Sequence, residues 1–137
     1  MKRLLLSVFL LLALVILGVG AQSSGQSVDA DFESLRDPAL LQSLLMDPPP
    51  DFYLVDVRTA EEYRGGHIPT AIQIDYRDIG ANPPTDTMDA TIVVYCRSGN
   101  RSGSAAATLE ALGYTRVLDW GGIARWPVDL VVSSSPE

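Results

Sequence analysis

Hydrophobic positions along this chain fall into three kinds of pattern, and each predicts a different element. Residues 4–19 form an apolar run broken only by Ser7 and Gly18. Further on, Phe32, Leu35, Leu40, Leu41, Leu44 and Leu45 recur mostly at helical spacing. Pro38 suits the first turn of that helix and Asp37 its N-cap, and Asp47-Pro48-Pro49-Pro50 stops it. Short segments then follow at 52–57, 71–74, 91–95 and 116–118, nearly all apolar where the signal is clearest. Such runs predict parallel strands covered on both faces. Thr91-Ile92-Val93-Val94-Tyr95 is the strongest, being β-branched, apolar and uncharged.

Between these strands the pattern turns or becomes helical. Thr59-Ala60-Glu61-Glu62 spells a capping box, so a short helix starts at Thr59 and ends at Gly65-Gly66. His67-Ile68-Pro69 predicts a turn, residues 76–80 one helical turn, and Asn82-Pro83-Pro84 a loop. Residues 101–112 are Ala-rich, with Gly113 as the stop. Gly121-Gly122 is expected to turn into a short helix before Trp126-Pro127. Strands alternating with helices predict an α/β domain around a mostly parallel sheet.

The ends read differently. Lys2-Arg3, the apolar run, then Val19-Gly20-Ala21 and a Gln/Ser/Gly stretch have the layout of a secretory signal peptide over residues 1–21, cut after Ala21. An uncleaved N-terminal anchor is the alternative, because the apolar run of about 16 residues is near the lower end of a membrane span. Either arrangement exports the remainder. Residues 22–30 read as a linker, 31–131 as the domain and 132–137 as a flexible tail.

Composition narrows the chemistry. The chain has 137 residues, a net charge of −7, one cysteine and one histidine. The acidic balance argues against nucleic-acid binding, which needs a basic face. One cysteine excludes a disulfide framework, a Cys-rich zinc site and a CxxC redox pair. Lys2 is the only lysine, so removing the leader leaves no Schiff-base amine and a charge two units more negative. Nothing in the sequence demands more than a monomer.

The single cysteine stands where chemistry is expected. Cys96 ends the strongest strand, at the edge where open α/β sheets place their sites. Ser98, Gly99 and Asn100 tolerate the conformations of a backbone nest that aims N–H groups at one anion. The helix beginning near Arg101 adds its positive end, and Arg97 and Arg101 add full charges. All of this favours thiolate over thiol. A core cysteine would instead sit inside the strand among apolar neighbours.

Four pieces, in order, carry a family resemblance. They are Leu54-Val55-Asp56-Val57-Arg58 with Glu61-Glu62-Tyr63; Gly66-His67-Ile68-Pro69; Cys96-Arg97-Ser98-Gly99-Asn100-Arg101-Ser102; and Leu112-Gly113-Tyr114 with Gly121-Gly122-Ile123 and Trp126. The ordered set resembles a single-domain rhodanese, a sulfurtransferase. The resemblance implies a rhodanese-like sheet of about five mostly parallel strands with helices on both faces. It implies that Cys96 takes a sulfane sulfur from a small anionic donor such as thiosulfate as a persulfide. Cyanide or a thiol then accepts the sulfur, and no metal or organic cofactor is needed. Arg97, Ser98, Gly99, Asn100 and Arg101 are the expected donor-binding residues, with either arginine holding the anionic end. One departure is Thr70-Ala71, where the family commonly continues with Gly-Ala.

Other residues have a structural and a functional reading. Arg58 is expected to pair with Glu61 or Glu62, and Asp56 to anchor a loop near Cys96. His67 is expected to hydrogen-bond within its turn rather than act as a base. Trp120 and Trp126 are expected in the core or at its rim. Two rival functions remain, a Cys-dependent phosphatase or arsenate reductase and a non-catalytic binding or sensor module. Only four residues separate Cys96 from Arg101, one fewer than the phosphatase loop has. Sensor relatives typically lose the cysteine that this chain keeps.

Overall fold

The chain divides into two units, Met1–Ala30 and Asp31–Glu137. The computed structural model describes residues 32–133, all in the second unit. The expected leader, the linker and the last four residues lie outside the described residues.

Helix α1, Pro38–Leu44, begins as its sequence dictates: the Asp37 carboxylate accepts the Ala39 and Leu40 N–H groups at 2.8 and 3.3 Å. Strand β1 is Phe52–Asp56, helix α2 is Ala60–Arg64 and strand β2 is Ile72–Gln73. The capping box at Thr59 and Glu62 is formed in full. Strand β3, Thr91–Cys96, leads into helix α3, Asn100–Ala111, and strand β4 is Val117–Gly122. Gly113, at φ +103°, follows the C-cap Leu112 of α3 in the left-handed conformation that closes a helix.

All strand pairs are parallel, in the order β2-β1-β3-β4. Among the described residues the sheet has four strands, where the resemblance implied about five. From β1 the chain moves outward to β2, then crosses back to lay β3 and β4 on the other side. The order therefore reverses between β1 and β3, and a crevice is expected beyond their carboxyl ends.

Alternating strand residues feed two cores. Leu54, Val93, Tyr95, Leu118 and Trp120 meet Leu41 of α1, Leu45 and Trp126 on one face, where Tyr63 of α2 also packs. Val55, Ile92, Val94 and Cys96 meet Ala105, Ala106 and Leu109 of α3 on the other, with Val57, Ile79 and Tyr114. Burying one of the larger apolar side chains contributes about 1.5–3 kcal/mol relative to exposure. The continuous apolar pattern of β3 thus follows from its central place, with residues 92–96 fully covered. Both tryptophans are core residues. Trp120 Nε1 donates to the Leu35 carbonyl at 3.0 Å, and its ring meets Trp126 edge-on at 6.4 Å.

Several elements differ from their sequence patterns. The segment 71–74 contracts to a two-residue edge strand, whereas residues 76–80 make a single helical turn, with Ile79 N–H bonded to the Asp75 carbonyl. Strand β4 runs past Leu118, because a bulge lets Val94 pair with Asp119 and Tyr95 with Gly121, leaving Trp120 as the extra residue. Gly121 and Gly122 therefore end a strand, and the expected short helix is a 3₁₀ turn, Ile123–Arg125. At the end of the domain Val131 exchanges two 2.9 Å backbone bonds with His67, and Ser133 N–H donates to the Arg64 carbonyl.

Thr70, the departure from the family pattern, stands at φ +69°. A β-branched residue is strained there, whereas glycine is not. Thr70→Gly is expected to raise stability by about 0.5–1 kcal/mol, the relief of strain exceeding glycine's entropic cost. The check is the urea midpoint at unchanged m value; a fall in the midpoint would contradict strain at this turn.

Candidate active site

Strand β3 delivers Cys96 to the edge of the sheet beside the point where strand order reverses. Residues 97–99 then turn the chain into α3, and Gly99 at φ +105° serves as the N-cap of that helix. Glycine has no side chain with which to satisfy the helix's free N–H groups. The cysteine sulfur takes that place. Gly99 N–H donates to Sγ at 3.0 Å, and the N–H groups of Ser102 and Ser98 lie near enough to favour charge on it. Ser102 is the third residue of α3, whose N–H a capping side chain ordinarily accepts. In the thiol form, Cys96 donates to Ser102 Oγ at 3.4 Å, and Ser102 donates to the Gly99 carbonyl at 3.0 Å.

These bonds decide the state of the sulfur. Burial alone pushes the Cys96 thiol up, but the Ser102 hydroxyl and the N–H groups of Ser102, Gly99 and Ser98 outweigh it, and the net shift is downward. A hydroxyl rotates freely, so Ser102 can turn its proton from the Gly99 carbonyl to the sulfur when the thiol ionises. The pattern of the sequence passed over Ser102 as a site residue. The available signal was its place one turn into the helix, where side chains lean back toward the N-terminus.

The two loop arginines have different fates. Arg97 is exposed and has no side-chain partner among the described residues. Arg101 forms a two-pronged pair with Glu62, at 2.7 and 2.8 Å. Glu62 also accepts the Thr59 N–H and hydroxyl at 3.0 and 3.1 Å. The Arg101 bond, with those from Thr59, holds the Glu62 carboxyl down at about 2. Because α2 and α3 pack on opposite faces of the sheet, this pair spans the end of the crevice. Ser98 and Asn100 are exposed and Gly99 is half-buried.

Arg58 does not pair with Glu61 or Glu62, and this corrects the sequence expectation. It curls back over the strand end onto Asp56, with Nη2 at 2.6 Å and Nε at 2.9 Å, and donates to the Gly66 carbonyl at 2.7 Å. Glu62 is already committed to its own helix cap and to Arg101. Asp56 is fully buried, and its carboxylate accepts from the Arg58 N–H and guanidinium and interacts with the Tyr95 hydroxyl. In register it faces Tyr95, the neighbour of Cys96. His67 stacks on Tyr63 at 3.7 Å, and its Nδ1 lies 2.8 Å from the Tyr63 carbonyl, so the ring serves the turn. Gly122 faces the loop from β4: a Cβ there would lie 2.9 Å from the Arg97 carbonyl oxygen and 3.4 Å from Ser98 Cα. Among the described residues, no group of three His, Cys, Asp or Glu side chains is placed to hold a metal ion.

Two measurements test this geometry. Ser102→Ala removes a hydroxyl that favours the thiolate, so the pH profile of Cys96 alkylation is expected to move to higher pH; an unmoved profile would separate Ser102 from the sulfur. The Glu62 pair tests the bridge across the crevice. The Glu62 carboxyl titrates at 4.5 when free and at about 2 when folded. Its stabilising contribution is complete above the unfolded value and is lost as pH falls through the folded one. Stability of the wild type is expected to drop more steeply than that of Glu62→Gln across this window in urea titrations, with added salt narrowing the difference.

The profile of the Rhodanese-like domain matches residues 37–127. A sulfurtransferase of Allochromatium vinosum is 44% identical over 77 residues, covering 56% of this chain and 72% of the relative. The thiosulfate sulfurtransferase PspE of Escherichia coli is 37% identical over 71 residues, covering 50% and 68%. Among solved structures, a rhodanese-like domain protein from Staphylococcus aureus superposes with a TM-score of 0.61 at 32% identity, covering 71% of this chain and 95% of that one. A rhodanese with anions from E. coli gives 0.52 at 32% identity, covering 59% and 98%. With the profile spanning more than half of its length and named sulfurtransferases among its relatives, the chain belongs to the rhodanese family and is a sulfurtransferase.

Proposed function

We propose that this chain, exported by its N-terminal leader, transfers a sulfane sulfur from thiosulfate to cyanide or a thiol through a persulfide on Cys96. The observation that carries this reading is the sulfur's set of backbone donors, which lowers its pKa despite burial. The Cys96 thiolate attacks the outer sulfur of thiosulfate. The donor's S–S bond breaks, and sulfite leaves with the electron pair. The product is a Cys96 persulfide whose terminal sulfur lies among the loop N–H groups, in the manner of an oxyanion hole. The acceptor then attacks that terminal sulfur, and the bond to Sγ breaks to restore the thiolate. With cyanide the product is thiocyanate.

The geometry supports a division of tasks between the arginines. In this reading Arg97, exposed and unpaired among the described residues, receives the anionic end of the donor. Arg101 is already shared with Glu62 and holds the loop in position. Cys96 is fully covered in the free chain, so donor access requires movement around it. The name of PspE supports thiosulfate as donor.

Intact mass tests the proposal. Thiosulfate treatment is expected to add one sulfur to the wild type, cyanide to remove it, and Cys96→Ser to gain none. Phosphatase turnover without any sulfur gain would overturn the reading. The same spectrum of exported protein reads the leader: a chain beginning at Gln22 supports cleavage, and an intact N-terminus supports an anchor.

A further inference from the structure

The carboxyl edge of the sheet that holds Cys96 also holds a cleft, lined by residues outside the Cys96 loop. Its volume is about 470 Å³, and its lining includes Thr59, Gln73, Asp75, Arg77, Asp78 and Asn82. These residues follow the carboxyl ends of β1 and β2, the edge to which β3 delivers Cys96. That volume suits a small molecule. The cleft is tied to the catalytic loop by a chain of hydrogen bonds. Thr59, in its wall, donates to Glu62, and Glu62 accepts from Arg101, the second residue of α3. The Arg101 charge interacts with both Cys96 and Asp75.

The two sides carry opposite signs. At the loop stand Arg97, the converging N–H groups and the positive end of α3. In the cleft, Arg77 is folded onto Asp75 at 2.9 and 2.6 Å, and that bond holds the Asp75 carboxyl down. Asp78 is exposed and its carboxylate makes no side-chain hydrogen bond among the described residues, though the Arg77 charge also reaches it. The cleft wall thus sets two carboxylates, Asp75 and Asp78, against one arginine, Arg77. A dianionic donor is repelled from this cleft and drawn to the loop, whereas a cation is drawn into it.

We propose that the cleft is the acceptor subsite and takes a small thiol bearing a protonated amine, with Asp78 setting the preference. The proposal rests on the persulfide reading above and adds the class of acceptor. The acceptor, as thiolate, attacks the terminal sulfur of the Cys96 persulfide. The new S–S bond belongs to the acceptor, the Sγ–S bond breaks, and its electron pair returns to Sγ, where the Gly99 N–H awaits it. The proton of the acceptor thiol goes to solvent, and no oxidant or reductant is required.

The test uses full-length protein loaded with thiosulfate, freed of donor, and unloaded at low salt by cysteamine, mercaptoethanol or mercaptopropionate. Loss of the added sulfur is followed by mass, and each rate is divided by the same thiol's rate against a small neutral disulfide, so that thiol acidity and intrinsic nucleophilicity cancel. Cysteamine is expected to unload the wild type about fivefold faster than mercaptopropionate, with mercaptoethanol between them, the scale of one exposed charge contact. The difference is expected in the dependence on acceptor concentration, to shrink with salt, and to fall below about twofold in Asp78→Asn. Equal rates for the three thiols, or a preference that survives in Asp78→Asn, would overturn the assignment. A wild type that gains no sulfur from thiosulfate is a different outcome: it refutes the persulfide reading before any thiol is added, and the subsite with it.

Discussion

Burial disfavours a charged sulfur, and much of the carboxyl edge of this sheet acts against that penalty. Cys96 has no solvent exposure, yet its thiol is shifted toward ionisation. The shift depends on a left-handed Gly99, which turns its own N–H onto the sulfur and lets α3 start at once. The same sulfur stands at the start of the helix. The contacts that favour the thiolate therefore gather at the first turn of α3, and at this point acidity and local structure draw on one set of contacts. A scaffold that met the helix cap with a serine or aspartate would have lost the donors the thiolate needs.

The walls of the site are fixed by two ion pairs of different character. Asp56 and Arg58 are both buried, with Arg58 reaching on to the Gly66 carbonyl, so the chain leaving β1 has one course. Such a pair specifies geometry more than it stabilises, since taking both charges from water costs several kcal/mol. Glu62 and Arg101 are half-buried and join helices on opposite faces of the sheet. Between them, the pairs hold the β1 and β3 ends of the crevice, and neither engages Arg97.

Local patterns were legible in the sequence, and distant ones were not. The capping box at Thr59, the Asp37 N-cap, the apolar run of β3 and Gly113 each depend on a few consecutive residues, and each forms as read. Cys96 was legible because the break from apolar strand to Arg-Ser-Gly-Asn-Arg is abrupt. The partner of Glu62 was not, because helical spacing suggests Arg58 while the true partner is 39 positions away. Ser102 was read as part of a motif and not as a contact, since its orientation follows from where α3 begins. The bulge at Trp120 depends on how β4 fits β3 and leaves no mark in hydrophobic periodicity.

That bulge has a consequence for how loops of this kind can diversify. By absorbing Trp120 into one core, it brings Gly122 level with Cys96, close enough that even a methyl group would press on the Arg97 carbonyl. Strand β4 thus works as a gauge for the loop after Cys96, setting how deep the turn can lie from more than twenty positions further along the chain. A longer loop, such as a nest enlarged for a bulkier anion, would not arise here by insertion alone. It would have to be accompanied by a change in β4, so that substrate size is inherited jointly by two segments that look unrelated in the sequence.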